Sequence, residues 1–287
     1  MNKRKRFERS EPDHPLTPRK LRLLLWVAEL GIATTSQLTE ISGMSKPATY
    51  NHLLDLYHMG LLDRTAVSRD ALLPANVQHS PTAAFGVSEN IHTVSKEGVK
   101  ALVQAKYLEK DDLPEFPDYG PTKSYFLAHE VEVRDVRVWL EKAKRFHGHE
   151  GVSDWLTGNK AFFLRTRPDA VVSYQAGDTY RLYFIELDRG TEKGQLRWQD
   201  KTQQYAELFR SGAVEQNTGI TDYRLLVITP DAKRCNVLEA IIRTHLPDTT
   251  LYDKFWITHR PTFDNADLAQ ACWIVPGCPD LMALLPG

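Results

Sequence analysis

The chain has 287 residues, of which 42% are hydrophobic and 25% charged, and a net charge of −1. That length suits two domains, and the balance excludes a disordered, collagenous or disulfide-built protein. No apolar run approaches the ~20 residues a membrane helix needs, so no membrane segment is expected. The basic start gives way to Glu11, Pro12 and Asp13, which argues against a secretory leader. Three cysteines, Cys235, Cys272 and Cys278, lack metal-site spacing, pointing to a reduced, cytoplasmic chain without zinc.

Residues 1–16 read as a flexible arm. Lys3, Arg4, Lys5, Arg6 and Arg9 stand there against Glu8, and two roles are open: contact with phosphates, or a solubilising end. Residues 17–105 read as a winged helix-turn-helix. Leu21, Leu24, Leu25 and Ala28 carry a helical rhythm after Thr17-Pro18, a capping hydroxyl before a first-turn proline. Gly31 stops that helix, and Thr34, Thr35 and Ser36 cap a short one over residues 37–41. Gly43 makes the turn, and Ser45 opens a third helix that runs to about Met59 and ends at Gly60. Strands are expected at residues 61–64 and 91–94, separated by a polar loop through Pro74 and Pro81, with a short helix to about Gln104.

The third helix of such a motif enters the major groove through its N-terminal residues. Here those are Ser45, Lys46, Thr49, Tyr50 and His52. Lys46 suits a phosphate, and the others offer hydrogen bonds to bases. Ala48, Leu53, Leu56 and Met59 are expected to face inward. A winged helix can instead mediate protein contacts, so double-stranded DNA is the first of two partner classes.

Residues 106–123, with Pro114, Pro117 and Pro121, read as the linker, and residues 124–287 as the second domain. A helix is expected from 124 to about 146, with Phe126, Val133, Val136 and Leu140 on its apolar side. Strands are expected at 161–164, 169–174 and 180–187, the last two joined by a Gly177-Asp178 turn. A helix over about 192–210, a strand at 223–229, a helix over 231–245 and late strands at 255–257 and 272–275 complete a mixed α/β pattern. The fold class is therefore α/β (α+β, two-domain).

The acidic residues carry the chemistry. Asp169 opens one strand, and Glu186 and Asp188 project from one side of its partner. Three carboxylates meeting at a sheet end suit Mg²⁺ or Mn²⁺, which would activate water for attack on a phosphodiester. Lys201 and Tyr205, four apart, share a helix face, and Lys201 would offset negative charge on a phosphate. Glu132, on the helix near His129 and Glu130, would complete the set. The alternative is that Glu186 and Asp188 simply pair with Arg189, Lys193 or Arg197. His147-Gly148-His149 is read as a polar loop.

The helix-turn-helix, His129-Glu130, Arg167-Pro168-Asp169 and the stretch Glu186-Leu187-Asp188-Arg189-Gly190-Thr191-Glu192 resemble the plasmid replication-relaxation family. They also resemble the MOB-C class of conjugative relaxases, which join a winged helix to a PD-(D/E)xK restriction-endonuclease-like domain. The resemblance implies metal-dependent nicking of one strand at a plasmid or integrative-element transfer origin. It implies partners too: a coupling protein and relaxosome accessory proteins; a homodimer is compatible with it. Asp169 would match the first metal-binding acid and Glu186 the second, and Lys201 with Tyr205 resembles the helical Q-x-x-x-Y element of some such nucleases. Asp188 stands where that motif has lysine. Lys201 or Lys193 replaces the charge, three acids hold the metal, or catalysis is lost. In the last case the chain would be a non-catalytic DNA-binding regulator of plasmid replication or transfer.

Overall fold

The computed structural model describes residues 15–67, 89–109, 124–190 and 195–285. The expected basic arm up to residue 14, the loop through Pro74 and Pro81, the linker from 110 onward, Lys193 and the side chain of Phe126 lie outside the described residues. The chain divides into two units between Val138 and Trp139.

In the first unit, helix α1 (Pro18–Leu30) starts where Thr17 accepts from the Lys20 amide with proline at the first turn, and it stops at Gly31. A two-residue strand β1 (Ala33–Thr34) follows, unanticipated in the sequence because two residues carry no periodicity. Thr34 and Gln37 then form a reciprocal capping box at the start of α2 (Thr35–Ser42). Gly43 takes the left-handed turn (φ 67°) into α3 (Lys46–His58), whose N-cap is Ser45. Strands β2 (Leu62–Val67) and β3 (Glu89–Val94) precede α4 (Lys96–Gln104). The sheet order is β1-β3-β2, all antiparallel, and three helices against this sheet make a winged helix. Leu23, Leu24, Val27, Leu38, Leu53, Leu56, Leu62 and Leu102 fill its core.

The first unit also takes the beginning of α5 (Ser124–His147). The Gln37 amide donates to Val131 O (2.8 Å) and to Asp135 (2.7 Å), Arg134 donates to Leu30 O (3.0 Å), and Arg137 donates to Glu29 O (2.8 Å). The boundary therefore falls inside a helix and not in the proline-rich segment. A helical rhythm shows that a helix is amphipathic but not which core receives each turn.

The second unit is built on a five-stranded sheet, β4 (Gly151–Thr157), β5 (Ala170–Ala176), β6 (Thr179–Leu187), β7 (Asp222–Thr229) and β8 (Phe255–His259), in that order. The first three pair antiparallel and the last three parallel. Helices α6 (Gln195–Arg210) and α8 (Ala232–His245) make the crossovers and share one core with Leu182, Phe184, Leu225 and Val227, while α7 (Ala213–Thr218) follows α6. Beyond β8 come the short α9 (Arg260–Phe263), β9 (Ala271–Trp273) and β10 (Met282–Ala283). The Trp139 indole donates to Ala266 O (2.7 Å) and packs on Phe263.

One strand is displaced from expectation. Residues 161–164 do not form it: Ala161 ends a 3-10 turn, Phe163 and Thr166 exchange both backbone hydrogen bonds, and Leu164 between them has φ 48°. The edge strand is β4, whose Gly, Ser and Asp residues dilute the alternating pattern and whose register shifts between Val152 and Asp154. His147 is the last residue of α5, and its ring stacks on that of His149, which bonds the Tyr174 hydroxyl at 3.0 Å. No described helix is long and apolar enough to cross a membrane.

Helix α3 is anchored by a charge pair in the first core. Lys20 and Asp55 are 1% and 6% exposed and meet at 2.6 Å. Removing one member leaves the other charge buried alone, so Lys20→Met or Asp55→Asn should each cost about 3–5 kcal/mol. Lys20→Met with Asp55→Leu should cost less than either single change. Urea unfolding of the four proteins checks this, and additive losses would show that the two charges are not coupled.

Candidate functional site

Strand β6 runs apolar through Phe184 and Ile185 and ends on acids. Glu186 is 3% exposed. Its two oxygens accept from α6: Lys201 Nζ at 2.7 Å and the Tyr205 hydroxyl at 2.8 Å. Positions 201 and 205 lie one helical turn apart, so both donors reach the same carboxylate. Packing sets their aim, because Trp198, Tyr205 and Phe209 sit in the core beside Phe184. The Lys201 ammonium also lies 5.1 Å from the Trp198 ring centre.

Asp169 precedes β5 and is tied to the end of β6. Its amide donates to Ile185 O (2.9 Å), and its carboxylate accepts from the Leu187 amide (2.7 Å). It is near enough to Glu186 to disfavour ionisation there. Burial pushes the Glu186 carboxyl up to about 7, Lys201 offsets part of that rise, and Asp169 adds to it. The Tyr205 phenol is driven well above its ordinary value, first by burial and then by the Glu186 charge. A phenol so placed donates to Glu186 and orients it.

Asp188 does not join this group. Its amide continues the ladder to Ile228 O (2.9 Å), and its buried carboxylate accepts from Gly190 N (2.8 Å) and from Arg234 Nε (2.7 Å). Arg234 is in the first turn of α8, whose N-cap is Asp231. The macrodipole disfavours a cation there, and that unfavourable position is the sequence signal of a dedicated acidic partner. Arg234, absent from the expected pairs, locks the loop after β6 onto α8. The expected set also included Glu132, which is on the part of α5 that belongs to the first unit, whereas Asp169 and Glu186 belong to the second.

Among the described residues no group of three or more His, Cys, Asp or Glu is placed to hold a metal ion. The convergence of three acids is thus replaced by a pair, Asp169 and Glu186. Two carboxylates still suit a hard divalent ion that keeps several waters. Each Glu186 oxygen retains a lone pair beyond its hydrogen bond, and a buried acid with a raised pKa calls for positive charge. The pair stands at the C-terminal end of a parallel strand, where open α/β sheets place their ligands.

In the winged unit, Ser45, Lys46 and Tyr50 are exposed and His52 is half-buried. Thr49 is fully buried, and its hydroxyl donates to Ser45 O (3.1 Å), so it braces the helix from inside and is not placed to read bases. Spacing 49-53-56 with Leu53 and Leu56 would have revealed this, since it marks one face. Asn51, overlooked in the sequence, is exposed beside Tyr50.

The model of one family, described as replication-relaxation, matches residues 24–223. The chain belongs to the replication-relaxation family. A comparison with curated proteins returned no match. The span shared with the replication-relaxation family takes in α3, Asp169, Glu186, Lys201 and Tyr205 and stops before Arg234.

The raised Glu186 pKa has a signed consequence for this replication-relaxation protein. The folded state holds the proton more tightly than the unfolded chain, whose value is near 4.5. The contribution to stability is therefore full below about 4.5 and lost as pH rises through about 7. It amounts to something on the order of 3 kcal/mol. Unfolding free energies measured from pH 4.5 to 8 without divalent ions should fall more steeply for the native protein than for Glu186→Gln. Parallel curves would remove Glu186 as the titrating group.

Proposed function

We propose that this chain is a metal-dependent DNA nickase, a relaxase acting at a plasmid or integrative-element transfer origin. Family membership associates it with plasmid replication or transfer. The observation that carries the catalytic reading is the buried Glu186, held by Lys201 and Tyr205 and adjoined by Asp169. Unlike the buried pairs Lys20–Asp55 and Arg234–Asp188, this one adds a second acid beside the first and a raised carboxyl pKa, a combination that favours a chemical task.

In this reading Asp169 and Glu186 would hold Mg²⁺ or Mn²⁺. When bound, such an ion polarises a phosphodiester and lowers the pKa of water. Tyr205 fixes the Glu186 carboxylate. Lys201, whose side chain is 20% exposed, supplies the positive charge that the usual motif places two residues after the second acid. It would turn from Glu186 toward the scissile phosphate. Asp188 and Arg234 hold the adjoining loop. The winged unit would bind double-stranded DNA through Ser45, Lys46, Tyr50, Asn51 and His52. A coupling protein and relaxosome accessory proteins are the partners such an activity would require.

A non-catalytic regulator is the second reading, favoured by the commitment of Asp188 to Arg234 where a nuclease motif has lysine. Supercoiled plasmid carrying the cognate origin separates the two. The native protein with Mg²⁺ or Mn²⁺ should yield open circles, and Asp169→Ala, Glu186→Ala and Lys201→Ala should each slow nicking by about a hundredfold or more. Calorimetric titration with Mn²⁺ alone should show one site, lost in Asp169→Ala and kept in Asp188→Asn. Protein that binds the origin yet neither nicks it nor takes up Mn²⁺ would establish the regulator.

A further inference from the structure

The first unit contains a cavity of about 610 Å³ between α1 and the turn that leads into α3. Its floor is apolar, made by Leu23, Trp26, Ile41 and Met44, and Arg19 and Arg22 stand on its rim. The two arginines are exposed, three apart on one helix face, and neither has an ion-pair partner among the described residues. Among the described residues no acidic residue lines the cavity.

We infer that this cavity is a seat for the sugar–phosphate backbone of duplex DNA, with Arg19 and Arg22 on the phosphates and the apolar wall against deoxyribose. The inference rests on the DNA-binding part of the proposed function and adds to it a surface on α1. Three features select nucleic acid. Among the described residues the lining is cationic without a balancing acid, which suits an anion of repeating charge. Guanidinium groups match phosphate oxygens in a bidentate manner. Ser45, the N-cap of α3, lines the same cavity, and the exposed Lys46 and Tyr50 follow it directly. A strand whose phosphates rest on α1 therefore continues without a break to the helix that faces the bases. An acidic amphipathic peptide could satisfy the charge and the apolar floor, but it would leave that continuity unexplained.

Phosphate contacts fix position and carry no sequence information, so the readout is ionic-strength dependence. Binding of the full chain to a labelled origin duplex and to an unrelated duplex of equal length would be followed by anisotropy at several salt concentrations. Arg19→Gln with Arg22→Gln should weaken both complexes to a similar degree. It should also lower the steepness of log K against log salt by about 0.9 for each phosphate that is no longer neutralised. Tyr50→Phe is the contrasting variant and should leave that slope unchanged. Thermal unfolding should be unaltered in the arginine variant, since both side chains are exposed. Equal affinity and slope for native and arginine variants would overturn the inference while leaving DNA binding intact. Failure of the native protein to bind any duplex would overturn both together.

Discussion

A carboxylate removed from water must be given charge, hydrogen bonds or a proton, and Glu186 draws on all three. Lys201 and Tyr205 each hold one of its oxygens, and burial still leaves its pKa near 7. That arrangement works only if α6 presents positions 201 and 205 to the end of β6. The helix is turned that way by aromatic packing, with Tyr205 and Phe209 against Phe184 and Trp198 fully buried beside them. Core packing and site chemistry are therefore one constraint. A change in the aromatic layer that rotated α6 would first be felt at the carboxylate.

The acids near the strand end have been assigned different work by their nearest donors. Asp169 caps the end of β6 through the Leu187 amide, a bond that fixes β5 and β6 at the point where their ladder finishes. Asp188 is only two residues beyond Glu186, yet its partner is on α8 and not on α6. A strand's alternation predicts which face a side chain takes; it does not say which of two helices packed on that face supplies the counter-charge. Arg234 decides that, and it lies forty-six residues away in the chain.

Much of the architecture was legible from local signals. Thr17-Pro18, the capping residue Thr34, and Gly43 set the helix ends because the backbone groups at those ends need partners or unusual dihedrals. The Gly177-Asp178 turn gave the β5–β6 hairpin its register. Lys201 and Tyr205 were also legible as a pair, since four-residue spacing is a local property. What the sequence concealed was non-local. The edge strand β4 had little periodicity to display. Residues 124–138 of α5 belong to the first unit through hydrogen bonds from Gln37, Arg134 and Arg137. Thr49 is polar but sits inward because its hydroxyl satisfies itself on the preceding turn, and polarity alone had suggested the opposite.

Each unit turns a helix by the same device and leaves it with a different degree of freedom. Apolar contacts alone tolerate small rotations, whereas a buried ion pair fixes a helix at one azimuth, because only one geometry satisfies both charges. Lys20 with Asp55 does this for α3, and Lys201 with Glu186 for α6. The first pair is sealed, with side-chain exposures of 2% and 8%, so its cation cannot leave without unfolding the core. In the second, the acid is at 4% but the lysine is at 20%. The lysine side chain is part exposed while its partner is buried. In the proposed function, a lysine so placed would exchange a carboxylate for an incoming phosphate once another cation took over Glu186. A sealed pair orients a helix. An open-ended one orients a helix and, in the proposed function, would also keep a charge available to a ligand.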